Sequence, residues 1–148
     1  MTTQTTIDQT KTEAFLGKVL SDTSGLTTTI MSSIGDRLGL FKQLALAPAT
    51  SAQLAARAEI NERYAREWLG AMASAGYVEY DPTSHRFTLP AEYIPVLAQE
   101  QGPLFLGGMH QMLAGMIEPL NQLILAFQQG GACRSLPTAT TCGMGWSA

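Results

Sequence analysis

Ser51-Ala52-Gln53-Leu54-Ala55-Ala56-Arg57-Ala58 has the pattern of a short amphipathic helix, and Asn61 to Gly76 that of a longer one. Val78-Glu79-Tyr80 and Arg86-Phe87-Thr88-Leu89 follow as two strands around Asp81-Pro82-Thr83-Ser84-His85, where Pro82 sets the turn. Helix, turn, helix and a two-stranded wing, in that order, make a winged helix-turn-helix. The predicted fold is therefore mainly α, with a small β wing. Such a domain either reads DNA or holds together a protein whose chemistry lies elsewhere, and the rest of the chain has to decide between the two.

The punctuation around this stretch agrees with it. Thr50 or Ser51 is placed to cap the first helix, and Asn61 the second. Glu62 puts a negative charge in the first turn, where the helix dipole favours it, and Gly76 ends the helix. Tyr64, Trp68, Met72 and Ala75 fall on one face, broadened by Ala65 and Leu69, so Tyr64 and Trp68 are predicted core residues. His85 sits at the wing turn and is predicted to be exposed.

Upstream, residues 1–7 read as a disordered arm, and a helical pattern begins at Asp8. Phe15, Leu16, Val19 and Leu20 share a face; Leu26, Ile30, Ile34 and Leu38 continue at intervals of four. Gly25 stands between the runs and is predicted to kink or separate them. Gly39 to Leu44 is a short helix, and Ala47-Pro48-Ala49 a break. Downstream, Ala91 to Leu97 is a short segment. Leu104 to Gln129 is a strongly apolar helix with Pro119 inside it, which should kink or split it. Leu113, Met116, Ile117, Leu120, Leu123, Ile124 and Phe127 cover much of its circumference, so it needs cover on more than one side. The divisions are an arm at 1–7, a winged-helix domain at 8–100, an interface or linker helix at 101–130, and an irregular tail at 131–148.

That tail has no period of either kind. Two readings stand: a disordered tail, or a frameshifted end, since back-translation with GC-rich codons and a shifted frame permits an ordinary charged amphipathic segment. Cys133 and Cys142, both in this tail, make a poor disulfide framework.

Composition narrows the function classes. The chain is 148 residues long, 45% hydrophobic and only 14% charged, which excludes global disorder and leaves apolar surface for a partner. Its formal net charge is −3, whereas a dedicated DNA-binding domain usually carries a positive excess. No membrane span and no secretory signal is read, and a cytoplasmic location is expected. No zinc-ligand pattern, Ser/His/Asp arrangement or carboxylate pair emerges, so no catalytic and no metal-binding residue is predicted.

Four stretches in this order carry a resemblance: Ile34-Gly35-Asp36-Arg37-Leu38-Gly39-Leu40-Phe41; Glu62-Arg63-Tyr64-Ala65-Arg66-Glu67-Trp68-Leu69; Gly76-Tyr77-Val78-Glu79-Tyr80-Asp81; and Phe87-Thr88-Leu89-Pro90 with Glu92. Together they resemble the N-terminal domain of class I S-adenosylmethionine-dependent methyltransferases. The subgroup they look like is the bacterial winged-helix methyltransferases, often labelled transcriptional regulators and similar in layout to small-molecule O-methyltransferases. The resemblance covers about Phe15 to Gln129. It implies a homodimer held by the long N- and C-terminal helices, a small-molecule substrate roofed by this domain, and S-adenosylmethionine bound by a following Rossmann-like domain.

That last domain would need a strand, a Gly-x-Gly loop and a helix. Gly107-Gly108 and Gly130-Gly131 are the nearest candidates and follow no β-branched strand; Gly143-Met144-Gly145 lies in the irregular tail. The chain is therefore expected to stop short of the cofactor domain, to hold no cofactor of its own and to be non-catalytic alone. His110, with Met109, Met112 and Met116 at three- and four-residue intervals, is the substrate-pocket candidate. For His110 the readings are a pocket residue, a base for a substrate hydroxyl, or an interface histidine; for the methionines, packing or adaptable cavity lining. The alternative function is a winged-helix DNA-binding transcriptional regulator, with Arg63 and Arg66 on the second helix and Arg86 in the wing as its contacts. Nucleic acid is not the favoured partner, because Glu59, Glu62 and Glu67 nearly cancel those arginines.

Overall fold

The computed structural model describes residues 7–117 and 119–129. Readings that fall on residues 1–6, Gly130-Gly131, Cys133, Cys142 and the tail to Ala148 lie outside them. The described residues form seven α-helices, a 3-10 turn and one two-stranded sheet: α1 Gln9–Arg37, α2 Leu40–Leu46, α3 Ser51–Ala58, α4 Glu62–Ser74, β1 Glu79–Asp81, β2 Arg86–Thr88, the turn Ala91–Tyr93, α5 Ile94–Leu97, α6 Gly107–Gly115 and α7 Leu120–Gln129. Of the described residues, those up to Ala114 make one compact unit and those from Gly115 a second.

α1 runs without a break through Gly25, where a kink or separation was predicted. The hydroxyls of Thr23, Thr27, Thr28 and Thr29 each donate to the carbonyl four residues back, at 2.9–3.1 Å. This lets the β-branched run stay helical with its polar atoms satisfied. Asp8 caps the helix through Lys11 N at 3.2 Å. The face that α1 turns to the core is not its apolar stripe. Ser32, Ser33 and Gly35 are the buried positions, whereas Phe15, Leu16, Val19, Leu20, Leu26, Ile34 and Leu38 are exposed. Small residues are required there because the α4 indole lies directly on the helix: a Cβ at Gly35 would collide with the Trp68 ring and with Phe41.

The core of the first unit gathers Leu40, Phe41 and Leu44 of α2, Leu54 of α3, Trp68, Leu69 and Met72 of α4, and Ala49, Val78, Leu89 and Leu97. Phe41 meets Trp68 edge-on, with ring centroids 5.0 Å apart, and the indole N–H donates to the Met31 carbonyl at 2.8 Å. That bond satisfies the one polar atom of an otherwise buried side chain. The buried face of α4 is Ala65, Trp68, Leu69 and Met72. Tyr64 and Ala75 correct the prediction: Tyr64 is 70% exposed, and Ala75 is exposed as well. Tyr64 precedes Trp68 by one helical turn, but the indole fills the space under α1, and the face that Tyr64 occupies looks outward.

Thr50 closes α3 with a capping box, accepting from Gln53 N at 3.3 Å while the Gln53 side chain accepts from Thr50 N at 3.0 Å. Asn61 caps α4 through Arg63 N at 3.0 Å. β1 and β2 pair antiparallel with Tyr80 opposite Phe87. Ala49 adds a bridge to Phe87, N to O at 3.0 and 2.8 Å, which anchors the wing to the linker before α3. In the wing turn, Asp81 accepts from Thr83 N at 2.9 Å and from Ser84 N at 3.2 Å. His85 is exposed, as predicted, and takes a positive φ of 54°. The helix predicted over Leu104 to Gln129 is two helices, α6 and α7, with the break between Gly115 and Leu120. None of the helices among the described residues is long and apolar enough to cross a membrane.

Candidate functional site

Three places carry the chemistry expected from the sequence: the outer face of α4 with the wing, the exposed side of α6, and a cavity beside α6.

On the α4 face the cations are largely committed to the protein itself. Arg66 pairs with Glu62 through Nη2 at 2.5 Å and Nε at 3.2 Å, and Glu62 also accepts from the Ser51 hydroxyl at 2.7 Å. The Arg66 bonds, then the Ser51 bond, hold the Glu62 carboxyl below the usual carboxylate range, and Glu62 in turn raises Arg66. Arg86 donates to the Pro48 carbonyl at 3.0 Å. Arg57 ties down the same loop, donating to the Ala47 carbonyl at 2.7 Å. Of the three predicted DNA contacts, only Arg63 has a guanidinium that makes no hydrogen bond among the described residues, since Arg66 bonds Glu62 and Arg86 the Pro48 carbonyl.

α6 divides the predicted pocket group. Met109 and Met112 are exposed, together with Leu113. Met116 lies beyond the end of α6, in the second unit, and is exposed too. His110 points the other way and is only 7% exposed. Within the first unit, the structure therefore does not bring His110 to one wall with Met109 and Met112. The start of α6 is held by Asp36 from α1: the Gln111 side-chain amide donates to the Asp36 carboxylate, and Gly107 sits so close to that carboxylate and to the Phe105 ring that a Cβ would not fit.

His110 lines a cavity of about 250 Å³ together with Ala75, Gly76, Tyr77, Tyr93, Val96, Leu97 and Leu106. Gly76 supplies the left-handed turn after α4, with φ 76°, and Leu106 is pinned to α5 by its N–H donating to Val96 O at 2.9 Å. The imidazole Nδ1 is buried and has no hydrogen-bond partner. Burial pushes the His110 pKa below 6.5, against a weaker upward pull from Asp36. Burial thus favours the neutral ring over the charged one. Tyr77, Tyr93, Val96 and Leu106 were not anticipated as companions of His110. Tyr77 lies in one of the stretches that carry the resemblance, but Tyr93, Val96 and Leu106 belong to no motif quoted above, and the return of the chain through α5 brings them to the same recess. Among the described residues no group of His, Cys, Asp and Glu is arranged to hold a metal ion.

A family model described as the Rv2258c-like winged HTH domain matches residues 26–99. No curated protein matches the chain. Solved structures similar in fold include PigF with SAH (24% identity, TM-score 0.64, covering 76% of this chain and 32% of that one). The mitomycin 7-O-methyltransferase MmcR is similar at 19% identity and a TM-score of 0.69, over 85% of this chain and 37% of that one. Human N-acetylserotonin methyltransferase in complex with SAM is similar at 18% identity and a TM-score of 0.65, over 86% and 36%. The chain spans about a third of the length of these structures.

Proposed function

Because the chain belongs to the Rv2258c-like winged HTH domain family, we propose that it serves as the dimerisation and substrate-side domain of a methyltransferase-like protein and is not catalytic by itself. The cofactor, S-adenosylmethionine on this reading, is held by a fold that the described residues do not contain: their only strands are β1 and β2. The exposed Met109 and Met112 of α6 are the surface turned toward that fold or its small-molecule substrate, their flexible thioethers adapting to what they meet.

The observation that carries the reading is the direction of the apolar stripe on α1. Phe15 is 67% and Leu20 61% exposed, with Leu16 and Val19 beside them. An apolar stripe of this kind on a helix that already packs on the core through other residues marks a protein contact. A second copy of the chain is the economical partner, because a two-fold contact lets one stripe bury itself against its own equivalent. Light scattering of the full chain is expected to give a dimer mass, and Leu20→Glu a monomer with the same helical circular dichroism. A monomeric parent chain at tens of micromolar would overturn the assignment.

A further inference from the structure

α6 lies on the first unit with its polarity reversed for an amphipathic helix. Gly107 and His110 are buried and Gln111 and Ala114 half-buried, an i, i+3, i+4, i+7 stripe turned inward. Gly108, Met109, Met112 and Leu113 make the opposite side and are exposed. Burial of apolar side chains therefore supplies little of what holds this helix down. Its own sequence supplies little helix either. Three of its nine residues, Gly107, Gly108 and Gly115, are glycine, which weakens a helix more than any residue but proline. Phe105 and Leu106, just ahead of it, carry no side-chain oxygen to cap the first turn.

The missing cap comes from α1. The Gln111 side-chain amide donates to the Asp36 carboxylate, and the same carboxylate lies against Gly107 so closely that a Cβ there would overlap it. Asp36 stands in the last turn of α1, the end at which the helix dipole disfavours negative charge. Among the described residues no Lys or Arg pairs with it. The start of α6, where the dipole favours a carboxylate, is the compensation that the fold offers. We propose that Asp36 is a latch: it caps α6 across the fold, and α6 is a strap that opens as one piece when the carboxylate is withdrawn, while the winged helix stays folded. Opening re-aims the apolar side of α6, with Met109, Met112 and Leu113, and leaves the core of the unit intact, the behaviour of a local unfolding unit. The inference rests on neither the dimer nor the methyltransferase reading.

Hydrogen exchange of the full chain, read by mass spectrometry, tests it. In the parent chain the amides of residues 110–114 are expected to be protected, though less than those of residues 68–72 in α4. Asp36→Ala is expected to speed exchange at 110–114 about tenfold, the factor for losing a charged cap, and to leave 68–72 unchanged. Gly107→Ala separates the latch from helix propensity. Alanine is the better helix former, but its methyl meets the carboxylate, so exchange at 110–114 is expected to rise here too. If Asp36→Ala does not fold, Gly107→Ala decides alone. Four results would each overturn the proposal: no protection at 110–114 in the parent chain, unchanged exchange there in Asp36→Ala, an equal rise at 68–72, or exchange in Gly107→Ala that is slowed or unchanged.

Discussion

At the scale of single residues, two positions hold more than their type suggests. Gly35 sits mid-helix, where glycine ordinarily weakens a helix relative to alanine by roughly 0.5–1 kcal/mol. Here alanine is the worse choice, because its methyl would enter the Trp68 ring. Gly35→Ala is expected to lower stability by about 1–3 kcal/mol through overpacking, read from a shifted urea midpoint at unchanged slope; a gain in stability would mean that α1 does not press on Trp68. His110 sets a pH dependence. Its folded pKa lies below the unfolded value of 6.5, so between the two the unfolded chain binds the extra proton. Stability contributed by the neutral ring is complete above 6.5 and is lost as pH falls below it toward the folded pKa. Urea unfolding between pH 7.5 and 5 is expected to show this decline, and His110→Leu to flatten it. The outward Tyr64 shows the limit of residue-level reading. The i, i+4 relation to Trp68 was legible, but which edge of the stripe meets the neighbouring helix depends on where the indole goes.

At the scale of elements, the sequence spoke most plainly through its caps. Thr50 or Ser51 before α3, and Asn61 ahead of Glu62, are where side-chain chemistry predicts helix starts; the structure selects Thr50, adds Gln53 to close a capping box, and makes the Asn61 cap. Thr50→Ala is expected to cost about 1 kcal/mol, since it leaves the first turn of α3 without its acceptor; thermal unfolding monitored by circular dichroism would show it. The wing was equally legible, because Pro82 and the Asp81 turn leave the short strands few other arrangements. The α1 stripe was legible as a helix signal and misleading as a core signal. Regular apolar spacing states that a helix has a sticky face, and says nothing of whether the molecule or a partner covers it.

At the scale of the whole molecule, the choice between a DNA reader and an assembly domain rests on how charge is arranged. The formal net charge is −3, and Arg66 and Arg86 are engaged within the fold. Phosphate binding by Arg63 alone would be weak and strongly screened. Duplex DNA is therefore expected not to be retained at physiological salt in a gel-shift titration, and Arg63→Ala to change nothing. Retention of a specific duplex that Arg63→Ala removes would promote the regulator reading over the assembly one.

Local order was settled by the amino-acid sequence: where helices start, where Pro82 and Gly76 turn the chain, and that a helix-turn-helix ends in a wing. These follow from backbone preferences and from hydrogen bonds between near neighbours, which any stretch carries with it. Only the tertiary structure decided which faces meet. It placed Ser32 and Gly35 inward and Phe15 and Leu20 outward on one helix, parted His110 from Met109 and Met112, and set Tyr77, Tyr93 and Val96 on the same recess as His110. The physical reason is that a side chain's surroundings are set by the bulk packed against it from distant parts of the chain, here the Trp68 indole under α1 and the return of α5 beside α6, and no local pattern records that bulk.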